Sequence, residues 1–182
     1  MRPVPITRVL HWLLCAVVAA QCWPLAAQVL PAVPEYKLKA AFVYNFALFT
    51  DWPEAALSRG GAINLCLNPD SVMRPALTEL GGRSVKGRQI VLRWLSGLEA
   101  ARDCHVVFVD SLDRDRWAQI KKGLGGASAL TVSDDGTIGR DGAVIMLFLE
   151  NNRMAFDIDM NAARLAGLTL SSKLLRLART VR

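Results

Sequence analysis

Beyond the apolar N-terminal stretch the sequence contains two cysteines, Cys66 and Cys104, and one histidine, His105. His105 is the only histidine after residue 27, so any Ser/His/Asp, Cys/His or histidine–metal site would have to use it. It adjoins Cys104 at the start of an apolar run that predicts a strand, and neighbouring strand residues point to opposite faces. A site shared by the two side chains is therefore disfavoured, and His105 is interpreted as a structural histidine.

Glycine-rich and acidic segments suggest two ligand sites that their spacing does not support. Residues 123–126 follow a predicted helix, whereas a phosphate-binding loop must precede one. Residues 134–142 have the composition of a calcium loop, but glycine and isoleucine occupy its third and fifth positions, where oxygen ligands are required. The acid pairs at 113/115 and 157/159 are interpreted as solvated faces. We therefore predict no catalytic residue, no cofactor and no metal site.

The N-terminus predicts export to the periplasm. Two arginines precede an apolar run at 9–20, and small residues lead up to Ala27, which marks the end of a predicted cleaved signal peptide, 1–27. The apolar run is shorter than the roughly 20 residues that a membrane-spanning helix needs. An uncleaved membrane anchor is the alternative. Residues 28–34 are a short leader, and 35–182 are predicted to form a single domain.

Cys66 and Cys104 predict a disulfide, because an exported domain with two cysteines most simply forms one bridge. The bridge would close a loop spanning 38 residues. In the chain-entropy model such a loop stabilises the fold by roughly 4 kcal/mol. Two buried free thiols are the alternative.

The charge of the exported part is modestly basic. Removal of 1–27 takes away two of the 22 Lys and Arg residues and none of the 16 acidic ones, so the net charge falls from +6 to +4. The densest basic run comprises Arg83, Lys86, Arg88 and Arg93. No aromatic residues interleave with it as on a nucleic-acid platform, so nucleic acid is not a predicted partner. The run is interpreted as a solvated face or as one side of a complementary protein contact.

These side chains must be positioned by an alternation of helices and strands. A helix at 35–50, apolar nearly all round, precedes predicted strands at 62–68, 89–95, 105–110 and 129–134, with helices at 69–80, 98–102 and 114–124 between them. The terminal part predicts a hairpin of 143–150 and 153–159 and two helices at 162–166 and 172–180. The predicted fold class is a three-layer α/β/α sandwich with a mostly parallel sheet and an antiparallel C-terminal hairpin.

Several motifs in this order resemble the YfiR family of periplasmic regulators. They lie at 39–53 (KAAF, YNF and FTDWP), 104–109 (CHVVFV), 130–134 (LTVSD) and 156–178 (FDI, AARLAGL and SSKLL), within about 35–180. The resemblance implies a compact α/β/α domain, and Cys66 and Cys104 fall where the family places its shared bridge. Two departures are Asp159, where relatives often have asparagine, and the absence of a second cysteine pair near the hairpin.

The resemblance also implies a function. Family members bind and repress the periplasmic sensor region of an inner-membrane diguanylate cyclase, which lowers cyclic di-GMP and biofilm formation. An OmpA-like outer-membrane lipoprotein titrates them away. Candidate partner-binding residues are Trp52, Asp157, Leu170 and Ser171, with core packing or helix capping as the alternative role of each. A homodimer is a further candidate assembly.

The residues leave two other functions open besides repression by binding. A small-ligand-sensing domain that modulates a membrane signalling partner is the main alternative. A hydrolase or redox enzyme is disfavoured because the residues offer no nucleophile arrangement apart from one that would use His105. We therefore predict a binding protein and not an enzyme.

Overall fold

The computed structural model describes residues 33–57, 61–97 and 99–182. The predicted signal peptide 1–27 and residues 28–32 of the leader lie outside this part. Val33–Arg182 packs as one unit. No helix in the described ranges is long and apolar enough to cross a membrane.

Ten strands are present in the described residues. In chain order they are β1 (Thr50–Asp51), β2 (Ile63–Leu67), β3 (Ser84–Val85), β4 (Arg88–Trp94), β5 (Val106–Val109), β6 (Leu130–Ser133), β7 (Ile145–Glu150), β8 (Arg153–Ile158), β9 (Thr169–Leu170) and β10 (Thr180–Val181). Eight of them form one sheet in the order β10-β8-β7-β6-β5-β2-β4-β3, and β1 pairs with β9. The five strands from β4 to β7 in this order are parallel, and β7–β8 is an antiparallel hairpin. The predicted fold class is confirmed.

Helices cover both faces of the sheet. They are α1 (Glu35–Leu48), α2 (Glu54–Leu57), α3 (Arg74–Thr78), α4 (Trp117–Gly123), α5 (Gly136–Arg140), α6 (Met160–Leu165) and α7 (Ser172–Leu177), with 3-10 helices at Glu99–Asp103 and Ser111–Arg116. Buried residues of α1, α3, α6 and α7 share one core with one face of the sheet. Those of α4, α5 and the 3-10 helix at 99–103 share a second core with the other face. The two cores account for the three layers.

The central strand β5 is buried on both faces, as its continuous apolar sequence predicted. Val106 and Phe108 belong to the first core, and Val107 and Val109 belong to the second. In the first core, the Phe46 ring of α1 packs edge-on against Phe156 of β8, with ring centroids 4.9 Å apart. The apolar residues of α1 that face the sheet, Ala40, Val43, Phe46 and Ala47, are buried in this core, whereas Tyr36 and Ala41 remain exposed.

The structure corrects several predicted boundaries where side chains bond to the local backbone. The predicted helix 69–80 is shortened to Arg74–Thr78, because Asn68 and Ser71 accept the amides of Asp70 and Met73 in turns. The predicted helix 114–124 begins earlier as a 3-10 helix, because Asp110 accepts the Leu112 amide in a capping box. The acidic loop at 134–142 contains α5, which Asp135 caps by accepting the amides of residues 137 and 138.

The hairpin turn occurs where the sequence placed it. Asn151 and Asn152 adopt φ angles of 49° and 60°. Asparagine tolerates this left-handed region better than most residues, and two such residues in succession match the twist of the flanking strands.

A disulfide joins Cys66 of β2 to Cys104, which precedes β5. Their Cα atoms lie 5.8 Å apart, and both residues are buried in the second core. The bond therefore connects two adjacent central strands from within the second core, and both cysteines are almost completely buried.

The buried disulfide generates a stability prediction. The variant Cys66→Ala/Cys104→Ala should lose about 4 kcal/mol of unfolding free energy, since the unfolded chain regains the entropy of a 38-residue loop. Urea unfolding of the oxidised protein and the variant measures the difference. As a control, dithiothreitol should reduce the bond rapidly only in urea. A loss below about 1 kcal/mol would show that the bond contributes little.

Candidate functional site

The first and last motifs of the sequence meet in space through the ribbon of β1 and β9. Thr50 pairs with Leu170, and Asp51 pairs with Thr169. The Ser171 amide donates to the Phe49 carbonyl at 2.9 Å, which extends the pairing beyond the ribbon. Residues separated by more than a hundred positions therefore form one surface feature, and the motifs 39–53 and 156–178 are its two sides.

Trp52 connects this ribbon to the start of β5. Its side chain is buried, its indole Nε1 donates to the His105 carbonyl at 3.1 Å, and its ring packs edge-on against the imidazole. The motif at 104–109 therefore contacts the ribbon as well. Buried tryptophan generally needs such a partner for its N–H group, and here the partner is backbone.

Both ring nitrogens of His105 are bonded within the fold. Nδ1 accepts the amide of Asn64 at 3.0 Å, so Nε2, which lies 3.1 Å from the Ala56 carbonyl, carries the proton and donates. Burial lowers the pKa of His105 below its ordinary value of 6.5, and the nearby charge of Arg88 acts in the same direction. The imidazole is therefore held neutral at pH 7.

A cleft of about 800 Å³ lies next to His105 and the disulfide. Its wall includes Asn64, Cys104, the half-exposed Trp94 and the exposed residues Arg93 and Arg102. Within the described ranges neither arginine has a carboxylate within ion-pair distance. The cleft therefore presents two solvated cations and an aromatic side chain, together with the exposed carboxylate of Asp103, which also lines it.

The carboxyl ends of the parallel strands carry a second polar group of residues, which is satisfied internally. Asp110, after β5, accepts the Ser71 hydroxyl at 2.6 Å. The buried Asp113 accepts the Asn68 amide group at 3.1 Å and Nε of Arg116 at 2.8 Å. Ligands of open parallel sheets commonly bind at this edge, where strands leave the centre in opposite directions. Here the chain's own side chains fill the position between β2 and β5.

An ion pair connects α1 to the edge of the sheet at the carboxyl ends of the parallel strands. Nζ of Lys39 lies 2.7 Å from Oδ2 of Asp134 and 2.7 Å from Oε1 of Glu35. Burial raises the pKa of Asp134, against the opposing effect of Lys39. Burial also disfavours the charged form of Lys39, but its bonds to the two carboxylates prevail and raise its pKa. The pair joins the motif at 39–53 to the motif at 130–134.

The structure places all four predicted partner-binding residues in internal contacts. Trp52 and Leu170 are only 7% and 5% exposed. Ser171 accepts the Lys173 amide as the N-cap of α7. Asp157 accepts two hydrogen bonds from Arg179, at 3.0 and 2.6 Å. The ribbon brings Trp52, Leu170 and Ser171 together, whereas Asp157 lies in β8, and a partner-binding role for the four stays a prediction.

Of the exposed residues beside the cleft, the sequence indicated Arg93, as part of the basic run, but not Val91, Trp94 or Arg102. In β4 the side chains of Val91 and Arg93 share one face and are exposed. The signal was the alternation at 89–95, which predicts one solvated face but does not indicate that no helix covers it. Among the described residues there is no group of three or more side chains that could hold a metal ion.

Fold and site together define a disulfide-bonded α/β domain with an open, mostly parallel sheet, in which the sequence motifs contact one another. The sequence matches the YfiR/HmsC-like family over residues 36–179, and the chain belongs to that family. No curated protein matches the chain significantly.

Two solved structures share the fold. A conserved domain protein from Vibrio cholerae is 12% identical, with a TM-score of 0.53 over 82% of this chain and 61% of its own. An ABC domain from Streptococcus pneumoniae, solved with L-Trp, is 9% identical, with a TM-score of 0.55 over 77% of this chain and 62% of its own. This chain thus matches about three fifths of each of theirs, and at such low identity the likeness shows the fold alone.

The contacts of His105 generate a pH prediction. Because the pKa of His105 is lower in the folded state, the unfolded state binds more protons as the pH falls. The contribution of His105 to the free energy of unfolding is therefore fully present above about pH 6.5 and decreases below it. The melting temperature of the wild type should therefore decrease between pH 7.5 and 5, and His105→Gln should flatten this decrease. Trp52→Phe is the matched control, since it removes the bond to the His105 carbonyl but keeps the titrating ring. An equal slope in His105→Gln would contradict the assignment.

Proposed function

We propose that this protein is a periplasmic regulatory protein that binds the periplasmic sensor region of an inner-membrane diguanylate cyclase and represses the enzyme. Cyclic di-GMP and biofilm formation fall as a result. The observation that carries the proposal is the family match over residues 36–179, which spans nearly all of the folded part. The apolar, arginine-led N-terminus supports export to the same compartment as the sensor region.

A repressor of this kind acts by stoichiometric binding and needs a rigid domain with exposed side chains that contact the partner. Rigidity comes from the disulfide, the β1–β9 ribbon and the Lys39–Asp134 ion pair. Within the motif at 156–178, Leu165 of α6 is 90% exposed and Leu177 of α7 is 69% exposed. Exposed leucines of this kind serve as anchors in protein interfaces more readily than buried ones. We place the cyclase contact on this surface, next to the predicted residues Leu170 and Ser171.

Control of the repressor requires a competing partner. An OmpA-like outer-membrane lipoprotein fills this role in the proposal, since it would draw the protein away from the cyclase by mass action. A homodimer is a further proposed state, which would compete for the same surface if α6 and α7 formed its interface.

Complementation of a deletion strain tests the repressor function. Deletion should raise cyclic di-GMP only while the cyclase gene is present, and the wild-type chain should restore the low level. Leu165→Arg should fail to restore it, because a buried contact would lose its apolar anchor and gain an unpaired charge. Leu112→Arg is the matched control, since Leu112 is 53% exposed but lies outside the motifs. Unchanged cyclic di-GMP after deletion would refute the repressor function, whereas equal behaviour of both variants would refute only the surface.

A small-ligand-sensing domain is the second candidate function, and the cleft next to the disulfide favours it. Arg93 and Arg102 would bind a carboxylate there, and the structurally similar ABC domain was solved with L-Trp. Ligand binding would then change the affinity for a membrane partner.

A thermal-shift screen of amino acids and other anionic metabolites tests the second candidate. A ligand of the cleft should raise the melting temperature progressively with its concentration, and the added stability should be about 2.7 kcal/mol at a hundred times its Kd. Arg93→Ala/Arg102→Ala should abolish the rise, and Arg153→Ala, an exposed arginine in β8, should not. A ligand-induced rise that persists in the double variant would place the ligand elsewhere.

A further inference from the structure

The outer edge of β4 has backbone hydrogen-bonding groups that no residue of the described ranges pairs with. The Leu95 amide donates to Leu67 of β2, whereas Ile90 bonds through both its N–H and its C=O to Arg83 and Gly82 on the other side. The backbone N–H and C=O groups of successive strand residues point alternately to the two sides of the strand. Those of Leu92 and Trp94, like those of Ile90, therefore point away from β2. The register of β3 ends at Gln89, so no described strand pairs with these two residues.

The surface around this edge is open and partly apolar. Trp94 is 47% exposed and Val91 is 36% exposed, so no element of the described ranges covers the strand fully at these positions. An unpaired, accessible edge of this kind is a template for a further strand.

The charge of the edge selects what can pair with it. From Gly81 to Leu98 the sequence has four cationic residues and no acidic one. Lys86 pairs with Asp51, Arg83 stacks on the Tyr44 ring, and the guanidinium of Arg93 has no partner among the described residues. Arg102, in the wall of the adjacent cleft, is likewise unpaired there, so the two guanidinium groups outnumber the one carboxylate, Asp103, that lines the same cleft. A second copy of the chain would bring the same cations together, whereas an acidic strand would neutralise them.

The other end of the sheet shows that the chain can close an edge. Residues 179 and 182 donate from their amides to Phe156 and Ile158 of β8. The side chain of Arg179 is neutralised by Asp157 and Glu150. Neither device occurs at Leu92 and Trp94 among the described residues.

We propose that the outer edge of β4 binds an extended, acidic segment of a partner protein, which adds as a strand along Leu92 and Trp94 with its carboxylates toward Arg93 and Arg102. The two backbone positions set the register. The acids of the added strand lie on the face of Val91 and Arg93, and the apolar side chains that alternate with them contact Trp94 on the opposite face. The inference concerns a surface distinct from α6 and α7, so it stands whether or not the partner is a cyclase.

Peptide binding to the oxidised protein tests the proposal. The probes are a blocked heptapeptide in which valine alternates with glutamate and a matched peptide with lysine in place of glutamate. Calorimetry should detect the acidic peptide only, and NMR should show protection of the Leu92 and Trp94 amides from solvent exchange. Arg93→Glu, a change at an exposed side chain, should weaken the acidic peptide on the order of tenfold and strengthen the basic one.

A backbone variant separates strand addition from simple charge attraction. Leu92→Pro removes an N–H that faces away from β2, which an edge strand tolerates, and should weaken the acidic peptide roughly tenfold. Leu92→Ala is its control, since it shortens the side chain and keeps the N–H. Equal binding of both peptides, or full binding by Leu92→Pro, would overturn the proposal. So would a concentration-dependent dimer that Leu92→Pro abolishes, because the edge would then serve a second copy.

Discussion

Burial of β5 and β6 on both faces is the constraint on which the rest of the structure depends. All four residues of each strand are buried, so each face of the sheet needs its own cover of helices and its own core. The sheet therefore cannot expose a face at its centre, and any contact surface must come from the covering helices or from the outer strands. The exposed leucines of α6 and α7 and the exposed side chains of β4 occupy those two kinds of position.

Double burial also decides how the polar groups at the strand ends are satisfied. His105 precedes β5 and is kept neutral by its burial and by the Asn64 amide, which donates to Nδ1, while Nε2 donates to the Ala56 carbonyl. At the other end, Asp110 and Asp113 bond to Ser71, Asn68 and Arg116. No described buried side-chain nitrogen or oxygen lacks a hydrogen-bond partner. The polar side chains at both ends of the central strands thus form hydrogen bonds that stabilise the fold.

The central strand and the hairpin turn of this fold could be predicted from the sequence, whereas its short outer strands could not. The continuous apolar run at 105–110 predicted β5, and the two asparagines at 151–152 predicted the hairpin turn, because each is a local signal. The strands β1, β9 and β10 could not be predicted, since two residues carry no period and their pairing depends on distant parts of the chain. The 3-10 helix at Ser111–Arg116 was missed because Asp110 and Asp113 bond to the backbone, which helical periodicity does not register. The motifs indicated that 39–53 and 156–178 matter but not that they touch.

Edge pairing alone would give specificity more than strength. In the free protein, water satisfies the outward groups of Leu92 and Trp94, so a partner strand exchanges those bonds for its own and gains only about 1 kcal/mol for each. Contacts of exposed cations such as Arg93 with acids add at most about as much and weaken with salt. Most of the affinity must then come from apolar contacts, for which the chain offers Val91 and Trp94 at this edge and Leu165 and Leu177 on α6 and α7. A partner that engaged both surfaces at once would bind far more tightly than either contact allows, because the second contact forms at a high effective concentration.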